Sequence, residues 1–172
     1  MARTVLVTGG TRSGKSRLAE KLAMAHGEPL LYLATGQPGD PEMAERIARH
    51  RERRGTAWRT FEEPLAPAAT LLQMDGKHAA TLVDCMTLWI SNLLCSGTPP
   101  NDILEKVKEL TGLLRVLHAP VVLVTNEVGM GIVPENLLAR QFRDLAGSVN
   151  QLLASAADEV YVTISGLPLK LK

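Results

Sequence analysis

The run Gly9-Gly10-Thr11-Arg12-Ser13-Gly14-Lys15-Ser16 constrains this chain more than any other segment. It fits the spacing G-x-x-x-x-G-K-[ST], with the apolar run Thr4-Val5-Leu6-Val7-Thr8 before it and a helix-forming stretch after it. Strand, glycine-rich loop and helix in that order make a phosphate cradle. The glycines let backbone N–H groups converge on oxyanions with no Cβ in the way. The helix that starts near Lys15 points its positive end at the same anion. Lys15 is then placed to reach the β- and γ-phosphates of a nucleotide, and Ser16 to ligate Mg²⁺.

The rest of the chain supplies the frame such a loop needs. Near-continuous apolar runs at 4–8, 30–35, 80–84, 121–126 and 159–165 read as strands covered on both faces. Helical patterning falls at 15–26, 41–54, 65–74, 87–95, 102–117 and 134–157. Alternation of this kind predicts an α/β fold, P-loop NTPase-like, with a mostly parallel sheet flanked by helices in one domain over 1–172. Asp40-Pro41-Glu42 and Pro134-Glu135 mark helix starts. Leu138, Phe142, Leu145, Val149, Leu152 and Ala156 form one apolar stripe, for the sheet or for a neighbouring subunit. The tail Leu167-Pro168-Leu169-Lys170 alternates, as a short edge strand or a frayed end would.

Composition excludes several classes. A net charge of +1 removes the electrostatic case for nonspecific nucleic-acid binding, and two Trp, two Tyr and two Phe leave few platforms for stacking bases. No apolar run is long enough to span a membrane, and the early glycine-rich loop does not read as a signal peptide. Two cysteines, Cys85 and Cys95, make neither a disulfide framework nor a metal cluster, so a reducing, cytoplasmic setting is expected.

Two further features suggest chemistry. Thr81-Leu82-Val83-Asp84 ends an apolar strand on a carboxylate, which suits a partner for the Mg²⁺ and is compatible with a helix cap as well. The stretch 46–54 holds five Arg around His50. Forked guanidinium donors grip phosphates, and nearby positive charge favours the neutral imidazole that a nucleophile requires. His50 also shares helical spacing with Met43 and Ile47, which would place it at the core's edge instead.

Taken together, the loop through Arg17, Tyr32-Leu33-Ala34-Thr35, Glu42 to Ile47 with His50, Trp58-Arg59-Thr60, and the long block from Val124 to Asn136 resemble one family. It is the bifunctional adenosylcobinamide kinase / adenosylcobinamide-phosphate guanylyltransferase of cobalamin synthesis. The likeness continues through Arg140-Gln141-Phe142-Arg143-Asp144-Leu145-Ala146-Gly147 and Val149-Asn150-Gln151, and spans essentially the whole chain. It implies phosphorylation of adenosylcobinamide by ATP or GTP. Transfer of GMP from GTP through a guanylyl-histidine then follows, with the histidine falling on His50. It implies nucleotide contacts at Gly9, Gly10, Thr11, Arg12, Ser13, Gly14, Lys15 and Ser16, at Ala34, Thr35 and Gly36, at Arg51, Glu52, Arg53 and Arg54, and at Glu62 and Asp84. Mg²⁺ falls to Ser16 and Asp84, and the partner is a corrinoid small molecule rather than a nucleic acid. A homotrimer is implied as well. Asn126 and Glu127, at the carboxyl end of a strand, are candidates for the corrinoid arm. A simple P-loop small-molecule kinase and a non-catalytic nucleotide-binding module are the competing expectations.

Overall fold

The computed structural model describes residues 3–37, 39, 45, 48 and 54–172. The chain runs β1 (Thr4–Gly9), α1 (Lys15–Met24), β2 (Leu30–Ala34), β3 (Trp58–Glu62), α2 (Pro67–Met74), β4 (Ala80–Asp84), α3 (Met86–Cys95), α4 (Pro100–Leu114), β5 (Val121–Val124), α5 (Leu137–Ala156), β6 (Glu159–Ile164) and β7 (Leu167–Lys170). The sheet order is β3-β2-β4-β5-β1-β6-β7. All neighbours pair in parallel except β7, which returns antiparallel on β6. The helix expected at 41–54 falls mostly outside the described residues.

Side-chain alternation along each strand sorts the core into two layers. Val5, Val7, Leu30, Tyr32, Leu82, Val122 and Val124 face α1, where Ala19 and Ala23 let the helix approach closely. Leu6, Leu33, Val83, Val121 and Leu123 face the other way, onto α3, α4 and α5. That second layer holds Trp89, whose buried indole N–H donates to the Leu65 carbonyl at 2.9 Å. Among the described residues no helix is long and apolar enough to cross a membrane.

Several boundaries differ from expectation. β3 is an edge strand that the apolar pattern does not reveal, because Trp58-Arg59-Thr60-Phe61-Glu62 is mixed and mostly half-exposed. The last helix starts at Leu137 rather than at Pro134, with the Asn136 side chain accepting from the Ala139 N–H at 3.0 Å. Its buried residues are Leu145, Ala146, Val149 and Leu153, so the expected stripe is rotated and Leu138 stays half-exposed. Asp84 does not cap the following helix. Cys85 does, with its sulfur accepting from Leu88 N. The tail is an edge strand: Ser165 and Gly166, at φ 52° and 84°, form the two-residue turn that suits a twisted hairpin.

Candidate functional site

The phosphate loop is shaped by what leans on it. Gly9 has φ 154°, and a Cβ there would lie 2.5 Å from the Ser13 and Thr163 hydroxyls and 2.6 Å from the Thr163 carbonyl. Only glycine fits. Ser13 Oγ and Thr163 Oγ1 are 2.7 Å apart, and Gly166 N donates to Ser13 O at 2.9 Å. The β6–β7 turn thus buttresses the loop. Gly14, at φ 96°, stands at the N-cap of α1 with no side-chain hydrogen bond, so the first helical N–H groups keep their capacity for an anion. Lys15 is buried, and its Nζ donates to Gly10 O at 3.1 Å, across the mouth of the loop. Gly10, Thr11, Arg12 and Gly14 form an exposed rim.

Ser16 and Asp84 meet as the sequence suggests, with Ser16 Oγ donating to Asp84 Oδ2 at 3.3 Å. A hydroxyl and a carboxylate beside the phosphate loop form an oxygen donor set of the kind Mg²⁺ prefers, so the residues fit that ion. A third group joins them. Tyr32 Oη donates to the same Oδ2 at 2.8 Å. Burial, then the negative charge of Asp84, push the phenol well above its ordinary range, so it keeps its proton and acts as a donor. The Arg54 guanidinium carbon lies 3.4 Å from the Tyr32 ring centroid, and its Nε and Nη1 are buried without a hydrogen-bond partner. Cys85, next to Asp84, is not a nucleophile. Burial, with the Asp84 charge adding to it, pushes its thiol up to about 12.

The loops after β2 and β3 are tied together below this cluster. Thr35 is fully buried; its hydroxyl donates to Cys85 O at 2.6 Å and accepts from Cys85 N at 2.9 Å. The Thr35 side chain therefore fixes backbone, while Ala34 and Gly36 are half-buried beside it. Asn92 Nδ2 bridges Thr35 O and Pro64 O at 2.8 and 3.1 Å. Glu62 is exposed at the end of β3, in register with Ala34. His50, Arg51, Glu52 and Arg53 lie outside the described residues.

At the exit of β5 the backbone is pinned by a polar network. Asn126 N donates to Thr87 Oγ1 at 2.7 Å, and Asn150 Nδ2 donates to Asn126 O at 3.0 Å. Thr125 Oγ1 completes the network by donating to Asn150 Oδ1 at 2.7 Å. Glu127 N donates to Gly9 O at 3.1 Å, which joins this loop to the phosphate loop. The Glu127 carboxylate accepts from Gly129 N at 2.8 Å, a turn-forming role. Arg143 donates to Gly129 O, and Arg140 to the carbonyls of Pro134 and Glu135, so α5 holds the segment from behind.

Sequence reasoning missed the roles of Tyr32, Thr87, Asn92, Asn150 and Thr163. Their only signal is a polar residue inside an apolar strand or on a helix facing the sheet's carboxyl end.

The sequence model of the cobinamide kinase / cobinamide phosphate guanyltransferase family matches residues 5–171. The chain belongs to this family. A bifunctional adenosylcobalamin biosynthesis protein, CobP, of Pseudomonas aeruginosa is 48% identical over 97% of this chain and 96% of its own length. The corresponding CobU protein of Salmonella typhimurium is 46% identical over 98% of this chain and 99% of its own. That of Escherichia coli is 44% identical over the same shares. Among solved structures the RadB recombinase aligns with a TM-score of 0.50 at 16% identity, covering 93% of this chain and 73% of that one. The last likeness speaks for the fold alone, a P-loop sheet.

Proposed function

We propose that this chain catalyses both reactions named in its family's description, on one P-loop domain over 1–172. ATP or GTP phosphorylates the hydroxyl of adenosylcobinamide. GTP then guanylylates His50, and GMP passes to adenosylcobinamide phosphate to give adenosylcobinamide-GDP. The observation that carries this reading is the convergence of Lys15, Ser16 and Asp84 at a formed phosphate loop in a chain that the family model matches over residues 5–171.

Lys15 and the N–H groups from Gly9 to Ser16 bind and orient the phosphates, and their charge offsets that of the departing oxygens. Ser16 and Asp84 hold Mg²⁺, which when bound neutralises phosphate charge. In the second reaction an imidazole nitrogen of His50 bonds to the α-phosphorus of GTP, the bond to the bridging oxygen breaks, and pyrophosphate leaves. A phosphate oxygen of the corrinoid then displaces the histidine. The phosphoramidate is a high-energy link, so this second displacement proceeds readily. Arg51, Glu52, Arg53, Arg54, Ala34, Gly36 and Glu62 line the nucleotide, while the buried Thr35 fixes the backbone beneath them. For Arg54 the two unpartnered buried N–H groups support that role. Asn126 and Glu127 face the corrinoid arm. The exposed Met130, Ile132, Val133, Leu137 and Leu138 suit a contact between subunits; the family resemblance makes that assembly a homotrimer, with the corrin resting at a subunit boundary. A cytoplasmic location accords with the free cysteines.

The test is incubation with α-labelled GTP and Mg²⁺. Acid-labile, base-stable label on the protein, lost in His50→Ala, is expected. A folded protein that phosphorylates adenosylcobinamide but takes up no label is a kinase only.

A further inference from the structure

We propose that Tyr32 is a positioning residue for the metal end of the site, holding the Asp84 carboxylate in the orientation that serves a divalent cation beside Ser16. The inference rests on the reading of Asp84 as a metal ligand.

Tyr32 interrupts the apolar run Leu30-Leu31-Tyr32-Leu33 and is only 6% exposed. A phenol buried there needs an acceptor. The register supplies one. Ala34 pairs with Asp84 across β2 and β4, so Tyr32 stands two residues back on the same face, and its ring spans the gap. Its hydrogen bond to Oδ2, at 2.8 Å, is shorter than that of Ser16, at 3.3 Å. The ring itself is clamped. Arg54 covers one face at 3.4 Å, and Trp58 meets it in an edge-on arrangement at 6.1 Å and 79°. A clamped ring fixes where its hydroxyl stands, and the hydroxyl fixes the carboxylate.

The two hydroxyls on Oδ2 differ in their constraint. Ser16 gives a cation an oxygen lone pair, keeps its proton and can still donate to Asp84, but it must then follow the ion. Tyr32 is held by its own packing, so its bond fixes the carboxylate independently of the cation. Residues that orient metal ligands in this way commonly change metal affinity or activity by about 10–100-fold when removed.

The experiment uses Tyr32→Phe, which keeps the ring, its clamp and the core volume, and Asp84→Ala as reference. Mn²⁺ affinity is measured by electron paramagnetic resonance in the presence of a GTP analogue with a non-hydrolysable α,β bridge and without corrinoid, so that neither reaction consumes it. Nucleotide affinity is measured separately in EDTA. For Tyr32→Phe we expect Mn²⁺ to bind about tenfold more weakly, with metal-free nucleotide affinity unchanged. The kinase kcat should recover at high Mg²⁺. A tyrosine that only packs would lower the melting temperature and leave Mn²⁺ affinity within twofold of wild type, and that result overturns the proposal. If Asp84→Ala also binds Mn²⁺ like wild type, the reading of Asp84 has failed and takes the proposal with it. If Asp84→Ala loses Mn²⁺ while Tyr32→Phe does not, only the positioning role has failed.

Discussion

Replacing Gly9 by alanine separates the loop's own architecture from its contacts with nucleotide. The new Cβ would meet three oxygens at 2.5, 2.5 and 2.6 Å. Two belong to the Ser13 and Thr163 hydroxyls, which can rotate, but doing so gives up the 2.7 Å bond between them. That loss costs about 1 kcal/mol. The third is the Thr163 carbonyl. It lies in the β1–β6 ladder, where Gly9 pairs with Thr163, and it cannot retreat without opening the sheet. Overpacking of this kind costs about 1–3 kcal/mol. A φ of 154° is unsuited to alanine and adds about 1–3 kcal/mol. Gly9→Ala should therefore lose about 3–7 kcal/mol, or roughly 6–28 °C in melting temperature for a chain of this size. Gly10 is the control, because a Cβ there meets nothing within 4 Å. Gly10→Ala should stay within about 0.5 kcal/mol of wild type in urea unfolding yet bind a fluorescent GTP analogue less tightly, since it obstructs backbone approach to phosphate. A Gly9→Ala protein melting within about 2 °C of wild type would refute the steric reasoning.

Other expectations concern the periphery. Asp75 accepts from Ala119 N and from His118 N and Nδ1. Burial alone would raise its carboxyl, but these bonds and the His118 charge hold it below the ordinary range. A depressed folded pKa means the contribution is complete above the unfolded value, near about 3.9, and is lost as pH falls through the folded one. Urea midpoints from pH 7 to pH 2.5 should show a flatter acid limb in Asp75→Asn; parallel curves would contradict this. Asn150→Ala removes the bonds to Thr125 and Asn126 and should cost about 1–2 kcal/mol. It should raise KM for the corrinoid more than for GTP in steady-state assays, and equal rises would argue against a corrinoid role for the β5 exit.

What the sequence made legible follows from range. The phosphate loop is read from eight consecutive residues, and its strand and helix from their immediate neighbours. Asp84 is legible because it ends an apolar strand. β3 is not, because an edge strand buries little and Trp58 to Glu62 mixes charged with aromatic residues. Tyr32 illustrates a different limit. As a letter in an apolar strand it is only a core residue; its meaning comes from register with β4, which no local pattern encodes. The same holds for Asn92 and Asn150, whose partners lie on other loops.

The turn that props the phosphate loop has a bearing on synthesis. Ser13 waits for Thr163, 150 residues further along the chain. At ordinary translation rates of about 5–20 residues per second, that is on the order of ten seconds. The phosphate loop thus leaves the ribosome well before the strand that completes it. Until then the newborn chain carries the letters of a nucleotide site without its final shape, and a nascent chain stopped short of Thr163 should grip nucleotide poorly.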